Sequence, residues 1–251
     1  MVTALRGTCT DVRPPCRLHL VHSLTTTSGT ASPGQEQEVG DGFLEIDRCQ
    51  DVLAPFQARW QELATEADRI DEGWLAHPDS YYAPSGWYIT PVRYFGIDNP
   101  DGIAAAPLLA ELVAADGRVM NAMYLRLRGG SVIAPHRGRP VGAGRFHLGL
   151  RVPEGCALQI GDTTRTWVEG GWLAFDDGLE HSAWNHSDRD RVILQLDFEH
   201  PDIPMPRRAY GVRFLEGVYY DFVRRNEWAR RSVMWFNRAV RSTLRPLDTF
   251  R

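Results

Sequence analysis

The stretch that decides the fold covers residues 144–151 and reads GRFHLGLR. Apolar Phe146 and Leu148 alternate in it with Arg145 and His147. A period of two is that of a β-strand, whose successive side chains point to opposite faces. The stretch therefore predicts a strand with one apolar face and one face that carries an arginine and a histidine.

The same alternation recurs on both sides of this stretch, in short segments bounded by glycine and aspartate turns. The other segments predicted as strands are 87–92, 123–128, 157–160, 164–168, 172–175 and 191–198. No helical period interrupts them after residue 123. Many short strands with such turns are typical of an antiparallel sandwich or jelly roll, so we predict a mainly β fold with flanking helices.

Helical periods flank the strands. The spacing of Leu53, Phe56, Trp60 and Leu63 predicts one helix within residues 43–70. A second, short helix is predicted from Pro107 to about Asp116, and the helical period returns from about residue 208. We expect that last helix to pack its apolar side chains on the body and to leave its arginines in solvent.

The domain prediction has three parts. Residues 1–41 are polar and rich in Thr, Ser, Pro and Gly, which predicts a flexible N-terminal extension. Residues 42–205 form the β domain with its N-terminal helices, and residues 206–251 form a C-terminal amphipathic helical segment.

Composition excludes several classes of function. The formal net charge is −4, which argues against a general nucleic-acid binder. The chain has no lysine, so a phosphate-binding loop with its lysine, a Schiff-base nucleophile and a pyridoxal enzyme are excluded. The four cysteines are scattered without a C-x-x-C pair, which indicates neither a zinc ribbon nor a disulfide framework. With no stretch of about 20 apolar residues, we expect a cytoplasmic protein without a membrane span.

Five residues are spaced as a candidate metal and anion site. His136 and His181 are separated by short strands and could face each other across a small β-barrel. Imidazole suits iron, and two such ligands leave coordination positions for a bidentate 2-oxo acid and dioxygen. Arg191 would hold the far carboxylate of that acid by paired, charge-assisted hydrogen bonds. Arg145 and His147 would line the same polar cavity.

Further candidates surround these five. We expect Asp177 and Trp184 to support the ligands without binding the metal. Tyr124, Arg126 and Arg137 are candidates for a substrate pocket.

The ordered motifs of residues 120–201 carry a family resemblance. They are HRG at 136–138, RFHLGL at 145–150, WVEG at 167–170, FDD at 175–177, EH at 180–181, WN at 184–185, Arg191, Asp197 and HP at 200–201. As a set they resemble the aspartyl/asparaginyl β-hydroxylase family of Fe(II)/2-oxoglutarate dioxygenases. The resemblance implies a double-stranded β-helix, or cupin-like jelly roll. It also implies iron held by His136 and His181, and 2-oxoglutarate held by Arg191, Arg145 and His147.

The sequence departs from related patterns at three positions. The usual facial triad has a carboxylate two residues after the first histidine, where this chain has Gly138; loss of that ligand is characteristic of the resembled family. Members that hydroxylate an aspartyl or asparaginyl side chain carry an arginine where this chain has Ala143. A serine that helps to hold 2-oxoglutarate in the animal enzyme aligns with Leu125.

These observations predict an oxygenase. Fe(II), 2-oxoglutarate and dioxygen would serve to hydroxylate an unactivated carbon of an amino-acid-like substrate, free, peptidyl or carrier-bound, with release of succinate and carbon dioxide. Halogenation, desaturation or cyclisation at the same iron site stays open. A protein of another class, a non-catalytic jelly-roll binding module, is the second alternative. The sequence does not predict the oligomeric state.

Overall fold

The computed structural model describes residues 41–79, 82–83, 86–138, 141–205 and 207–226. The predicted N-terminal extension therefore lies outside the described residues, apart from residue 41. The predicted C-terminal segment lies partly outside them, because residues 227–251 are not described.

Eleven strands of the described residues form two antiparallel sheets. The strands are β1 (Leu75–Ala76), β2 (Trp87–Tyr94), β3 (Ile97–Asp98), β4 (Asn121–Leu127), β5 (Ser131–His136), β6 (Gly144–Arg151), β7 (Cys156–Ile160), β8 (Thr163–Arg165), β9 (Trp172–Phe175), β10 (His181–Asn185) and β11 (Arg191–Phe198). The larger sheet has the order β1-β2-β4-β11-β6-β9, with β3 paired to β2. The smaller sheet has the order β5-β10-β7-β8.

The two sheets pack face to face, as the jelly-roll prediction requires. One buried apolar cluster joins Leu125 and Ile193 of the larger sheet to Ile133, Leu158 and others of the smaller sheet. The fold is thus mainly β with a few flanking helices, and the predicted double-stranded β-helix is confirmed.

Four helices precede the β-strands or lie between them. They are α1 (Gln50–Ala58), α2 (Trp60–Asp68), α3 (Pro100–Ala105) and α4 (Pro107–Ala115). The prediction of one helix over residues 43–70 was wrong, because the helix breaks at Arg59, whose φ of −112° and ψ of 21° leave the helical region. Leu53, Phe56 and Leu63 still face one core, which they share with the larger sheet.

The larger sheet therefore has two covered faces. Its outer face, toward α1, α2 and α4, carries Phe146, Leu194 and their neighbours in a dry apolar cluster. Its inner face, toward the smaller sheet, carries alternate residues of the same strands, among them Arg145, His147 and Arg191. Because the side-chain period is two, each strand contributes to both faces.

The chain continues after β11 into α5 (Arg207–Arg225). No helix within the described residues is long and apolar enough to cross a bilayer.

Candidate active site

Two imidazoles meet where β5 ends and β10 begins. The antiparallel register pairs His136 directly with His181, and the ring centroids are 4.3 Å apart. The Nδ1 atom of His136 lies 2.8 Å from the carbonyl oxygen of Ala134, and that of His181 lies 2.8 Å from the carbonyl oxygen of Leu179. A carbonyl only accepts, so each Nδ1 carries the proton and each Nε2 keeps a lone pair for a metal.

Burial keeps both rings neutral. Burial, together with the neighbouring His181, lowers the pKa of His136 to about 4. Burial also lowers the pKa of His181, although the nearby Asp177 carboxylate opposes that shift. A metal ion therefore need not displace a proton from either ring at neutral pH.

Arg191 is a buried cation without a counter-charge. Only 2 % of the residue is exposed, and its Nε and Nη1 atoms have no hydrogen-bond partner among the described residues. Burial lowers the pKa of this guanidinium to about 10, which still leaves it charged at pH 7. A buried, unpaired charge is costly in free energy, so an anionic ligand bound next to Arg191 would stabilise it.

Other unsatisfied nitrogens surround Arg191. The guanidinium carbon lies 4.3 Å from the ring centroid of Trp167, whose buried Nε1 has no hydrogen-bond partner. Both ring nitrogens of buried His147 also lack a partner of good geometry among the described residues, although Gln195 lies close enough to raise the pKa of the ring. Burial, with the charges of Arg145 and Arg191, lowers the pKa of His147 well below its usual value. Such a cluster of nitrogens fits a ligand rich in oxygen.

Arg145, in contrast, is fully paired by carboxylates. Its Nε and Nη2 donate to the two carboxylate oxygens of Asp197, at 3.0 and 3.1 Å, and its Nη1 donates to Asp177. Asp177 and Asp197 raise the pKa of Arg145 against the lowering effect of its burial. Asn121 and Gln195 donate further hydrogen bonds to Asp197. The arginine thus belongs to a rigid polar network at one end of the pocket.

The Asp177 carboxylate fills the space above Gly138. A Cβ atom added to Gly138 would lie only 1.4 Å from Oδ2 of Asp177. The backbone N–H of Gly138 donates to the carbonyl oxygen of Asp177 at 2.7 Å, and Oδ1 lies 3.5 Å from Nε2 of His181. A carboxylate from the β9–β10 connection therefore stands where the side chain of the facial-triad position would begin.

These residues fit the iron and 2-oxo acid that the resemblance implies. Within the described residues no group of three histidine, cysteine or acidic side chains has metal-binding geometry, and His136 and His181 are a pair of imidazoles that face each other. The orphaned donors of Arg191 and Trp167 match the acceptor oxygens of a dicarboxylate. The imidazole pair and the donors around Arg191 lie in the same interior between the two sheets, where the charges of both Arg191 and His181 lower the pKa of His147.

Two candidates for the substrate pocket lie elsewhere. Tyr124 is fully buried on the outer face of the larger sheet, where its hydroxyl donates to Glu66 at 2.7 Å. Arg126 lies on that face too, with its guanidinium 4.6 Å from the ring centroid of Trp74. The prediction that these two residues line a substrate pocket was wrong, because β4 turns Met123 and Leu125 inward instead.

Trp184 also lies away from the site. On β10, His181 and Ala183 are buried, whereas Trp184 is half-exposed and stacks on His186, with 5.7 Å between the ring centroids. Trp184 lies three positions after His181, an odd number, so the two side chains point to opposite faces of the strand.

The pocket beside the imidazoles has a lining that the sequence analysis mostly missed. Exposed Arg137 lines it as predicted, together with His77, Trp87, Tyr94 and others. The ring of Tyr82 stacks on His136 with 4.7 Å between the centroids, and Trp87 lies 6.0 Å from it. Only the aromatic content of residues 77–94 marked this segment in the sequence, and an aromatic strand is usually core. Trp167 was missed as a site residue although it lies within a quoted motif.

Comparisons with known proteins identify a family and several relatives of this chain. The model of the family described as Aspartyl/Asparaginyl beta-hydroxylase matches residues 57–201. The chain is 38% identical over 110 residues to an ornithine lipid ester-linked acyl 2-hydroxylase of Rhizobium tropici, covering 43% of this chain and 39% of that protein. It is 40% identical over 88 residues to the aspartyl/asparaginyl beta-hydroxylase of Mus musculus, covering 34% of this chain and 12% of that protein.

The chain thus spans less than half the length of each of these two relatives. Among solved structures, HygX from Streptomyces hygroscopicus with nickel and 2-oxoglutarate bound matches with a TM-score of 0.41 and 12% identity, over 60% of this chain and 82% of that one. The family match covers more than half of this chain and includes both imidazoles, the paired Arg145 and the buried Arg191. The chain belongs to the aspartyl/asparaginyl β-hydroxylase family, which is a family of hydroxylase enzymes.

Proposed function

We propose that this chain is an Fe(II)- and 2-oxoglutarate-dependent hydroxylase that acts on an unactivated carbon of an amino-acid-like substrate. The observation that carries the proposal is the buried guanidinium of Arg191, which has no counter-charge and lies in the same interior as two metal-ready imidazoles. A protein that only used this interior as a core would gain free energy by replacing the arginine with an apolar residue.

Each residue has a stated part in the proposal. His136 and His181 hold the metal through Nε2, and their Nδ1–H bonds to backbone carbonyls fix the ring orientation. Arg191 binds the distal carboxylate of 2-oxoglutarate, with Trp167 over its guanidinium plane excluding water. His147, neutral at pH 7, lies beside this anion hole and can donate one hydrogen bond from either nitrogen.

A polar network holds the residues at the other end of the pocket in place. Arg145 donates hydrogen bonds to both Asp197 and Asp177, so it can also bind the cosubstrate only if one of its N–H groups donates to a carboxylate and to the cosubstrate at once. Asp177 lies close to Nε2 of His181 and is placed to accept a hydrogen bond from a water molecule there. Together these residues orient the reactants rather than exchange protons with them.

The bound metal and 2-oxoglutarate supply the activation of dioxygen, with one oxygen atom going to the substrate carbon and one to succinate as carbon dioxide leaves. Hydroxylation is favoured over halogenation by Asp177. Its carboxylate fills the space above Gly138, and a chloride ion there would meet a negative charge instead of a vacant position. Desaturation and cyclisation would be recognised by product mass.

The first experiment measures cosubstrate binding without turnover. Anaerobic addition of Fe(II) and 2-oxoglutarate to the metal-free protein should give a metal-to-ligand absorption band. His136→Ala should abolish the band, and the exposed Val168→Ala should leave it unchanged. Absence of the band in the wild type would favour the non-catalytic binding module.

The second experiment measures turnover. Amino acids, short peptides and carrier-bound amino acids are screened for release of succinate from labelled 2-oxoglutarate, and products are weighed for the gain of one oxygen atom. Succinate release without a gain of oxygen would overturn hydroxylation while leaving the cosubstrate site intact.

A further inference from the structure

The last described helix, α5, has its apolar side chains outward. Tyr210, Phe214, Leu215 and Val218, which we call the α5 stripe, are 64 %, 70 %, 55 % and 52 % exposed. The residues four apart lie above one another on one side of the helix. We predicted the opposite orientation, in which the apolar side chains of this helix pack on the β domain. A contiguous exposed apolar surface of this kind marks a site of interaction.

The opposite side of α5 is held on the body by polar and aromatic contacts. Arg213 donates to the carbonyl oxygens of Val141 and Gly142 at 2.8 and 3.1 Å, and it pairs with Glu199 at 2.9 Å. The ring of Tyr220 lies 4.9 Å from that of Tyr94. The helix is thus oriented by these contacts, and the α5 stripe faces away from them.

Positive charge is concentrated in this part of the chain. Residues 207–251 contain eleven arginines and four acidic residues, although the whole chain has a net charge of −4. Arginine pairs at 207–208 and 224–225 flank the α5 stripe at both ends. An apolar helix face bordered by arginines is typical of helices that lie in the interface of an anionic membrane.

We propose that the α5 stripe docks this protein on an anionic lipid bilayer, with its apolar side chains in the acyl boundary and the flanking arginines at the headgroups. A second copy of the chain fits less well, because two-fold pairing of α5 would set arginine clusters against arginine clusters. A soluble polyanion would use the arginines but would leave Phe214 and Val218 in water.

The docking places the active-site pocket near the bilayer. Tyr94, Phe95 and Val141 line the pocket, and the same three residues contact or adjoin α5. A helix with its side chains is only about 10 Å across, so the pocket lining lies about one helix diameter from the lipid surface. The consequence, that the substrate is drawn from the bilayer, rests on the proposed hydroxylase function, whereas the docking itself does not.

The test is flotation of the full chain, without metal or 2-oxoglutarate, on vesicles of phosphatidylcholine alone or with phosphatidylglycerol. The wild type should float with the anionic vesicles and less well as salt is raised. The double variant Phe214→Glu/Val218→Glu should partition at least about tenfold less, since both charges enter the acyl boundary. Val168→Glu, which changes an apolar residue that is 68 % exposed and lies outside α5, is the matched control.

Each of the other outcomes rejects either the docking on lipid or the proposed function. A wild type that ignores anionic vesicles, or a double variant that binds as well as the wild type, refutes it. A dimer in light scattering that the double variant converts to monomer assigns the α5 stripe to a second copy. Heparin binding by the wild type without vesicle binding assigns the arginines to a polyanion. Normal vesicle binding with no 2-oxoglutarate absorption band refutes the proposed function and not the docking.

Discussion

The two faces of the larger sheet are built from the same strands and have opposite properties. On β6 and β11 the outer face carries Phe146, Leu148, Leu194 and Leu196, packed dry against helices. The inner face carries Arg145, His147, Arg191, Gln195 and Asp197, which include buried charges and unsatisfied nitrogens. The outer face stabilises the fold, whereas the inner face lowers its stability because it holds the polar groups of a binding site.

The difference teaches that burial alone does not identify core. Phe146 is completely buried, and only 2 % of Arg191 is exposed. The side chain of Phe146 has no polar atom, whereas Nε and Nη1 of Arg191 have no hydrogen-bond partner among the described residues. The predictions below change one face at a time and ask whether the other face responds.

The largest effect is expected from Arg191→Met on the inner face. Two charge-assisted hydrogen bonds are worth about 1.5–3 kcal/mol each, so affinity for 2-oxoglutarate should fall by roughly two to four orders of magnitude. Stability without cosubstrate should stay the same or rise, because the variant removes an unpaired buried charge. Calorimetric titration of the Mn(II)-loaded protein and urea unfolding measure the two quantities.

Arg151→Met is the control for that variant, because it makes the same change on β6, the strand next to β11, at an arginine that pairs with Asp68 near the surface. A variant at Arg191 that unfolds more easily but binds 2-oxoglutarate normally would contradict the assignment of the two faces.

The next effect is expected from Phe146→Ala on the outer face. Phe146 stacks on Phe198 with 4.1 Å between ring centroids, and the truncation should cost about 3–5 kcal/mol of unfolding free energy. Affinity for 2-oxoglutarate in the cold, where the variant stays folded, should not change. Phe214→Ala, at an exposed phenylalanine, is the control for size and should cost little. Loss of cosubstrate affinity in the folded variant would mean that the two faces are coupled.

A smaller effect on the unfolding free energy is expected when the pH is lowered. His147 has a folded-state pKa well below that of an unfolded histidine, about 6.5, so below that pH only the unfolded chain takes up this proton. The unfolding free energy of the metal-free protein should therefore fall as pH drops below about 6.5, by up to about 1.4 kcal/mol per pH unit for each such histidine.

His136 and His181 add to this slope, because their folded pKa values are lowered too. Urea unfolding between pH 7.5 and 5 measures it. His147→Gln should reduce the slope by as much as one proton. An unchanged slope in this variant would show that His147 is accessible to protons in the fold.

The smallest effect is expected from Tyr124→Phe. The change removes one hydrogen bond to Glu66, which also accepts from the backbone N–H groups of Leu108 and Leu109 at the start of α4. Stability should fall by about 1 kcal/mol, and turnover of any accepted substrate should stay the same. A large loss of turnover with normal stability would return Tyr124 to the substrate pocket.

The sequence was sufficient for seven of the eleven strands described and for the residues that the motifs bring together, whereas β1, β3, β5 and β10 were not predicted. The alternation around Phe146 identified β6, and the register of β5 with β10 brings His136 to His181. It was not sufficient for the side of β4 on which Tyr124 lies. Helices cover the outer face of that strand and the smaller sheet covers the inner one, so alternation of apolar and polar residues does not say which set faces the pocket.

The orientation of α5 could not be predicted for a related reason. An apolar stripe at helical spacing is normally the packed side, and the polar contacts of Arg213 that turn it outward join residues about 70 positions apart in the chain. The break at Arg59 and the role of Trp167 likewise depend on tertiary contacts. What could be predicted was local periodicity; what could not was the choice between two covered surfaces.

The carboxylate of Asp177 above Gly138 has a consequence for the history of such a site. Because that volume is already taken, no single substitution can introduce an aspartate at position 138 without a collision. A third protein ligand at position 138 would need a simultaneous change at position 177, which would also remove one of the two carboxylates that pair with Arg145. The side chain of Asp177 thus blocks a carboxylate at position 138, and an engineered third ligand must be introduced by changing positions 138 and 177 together.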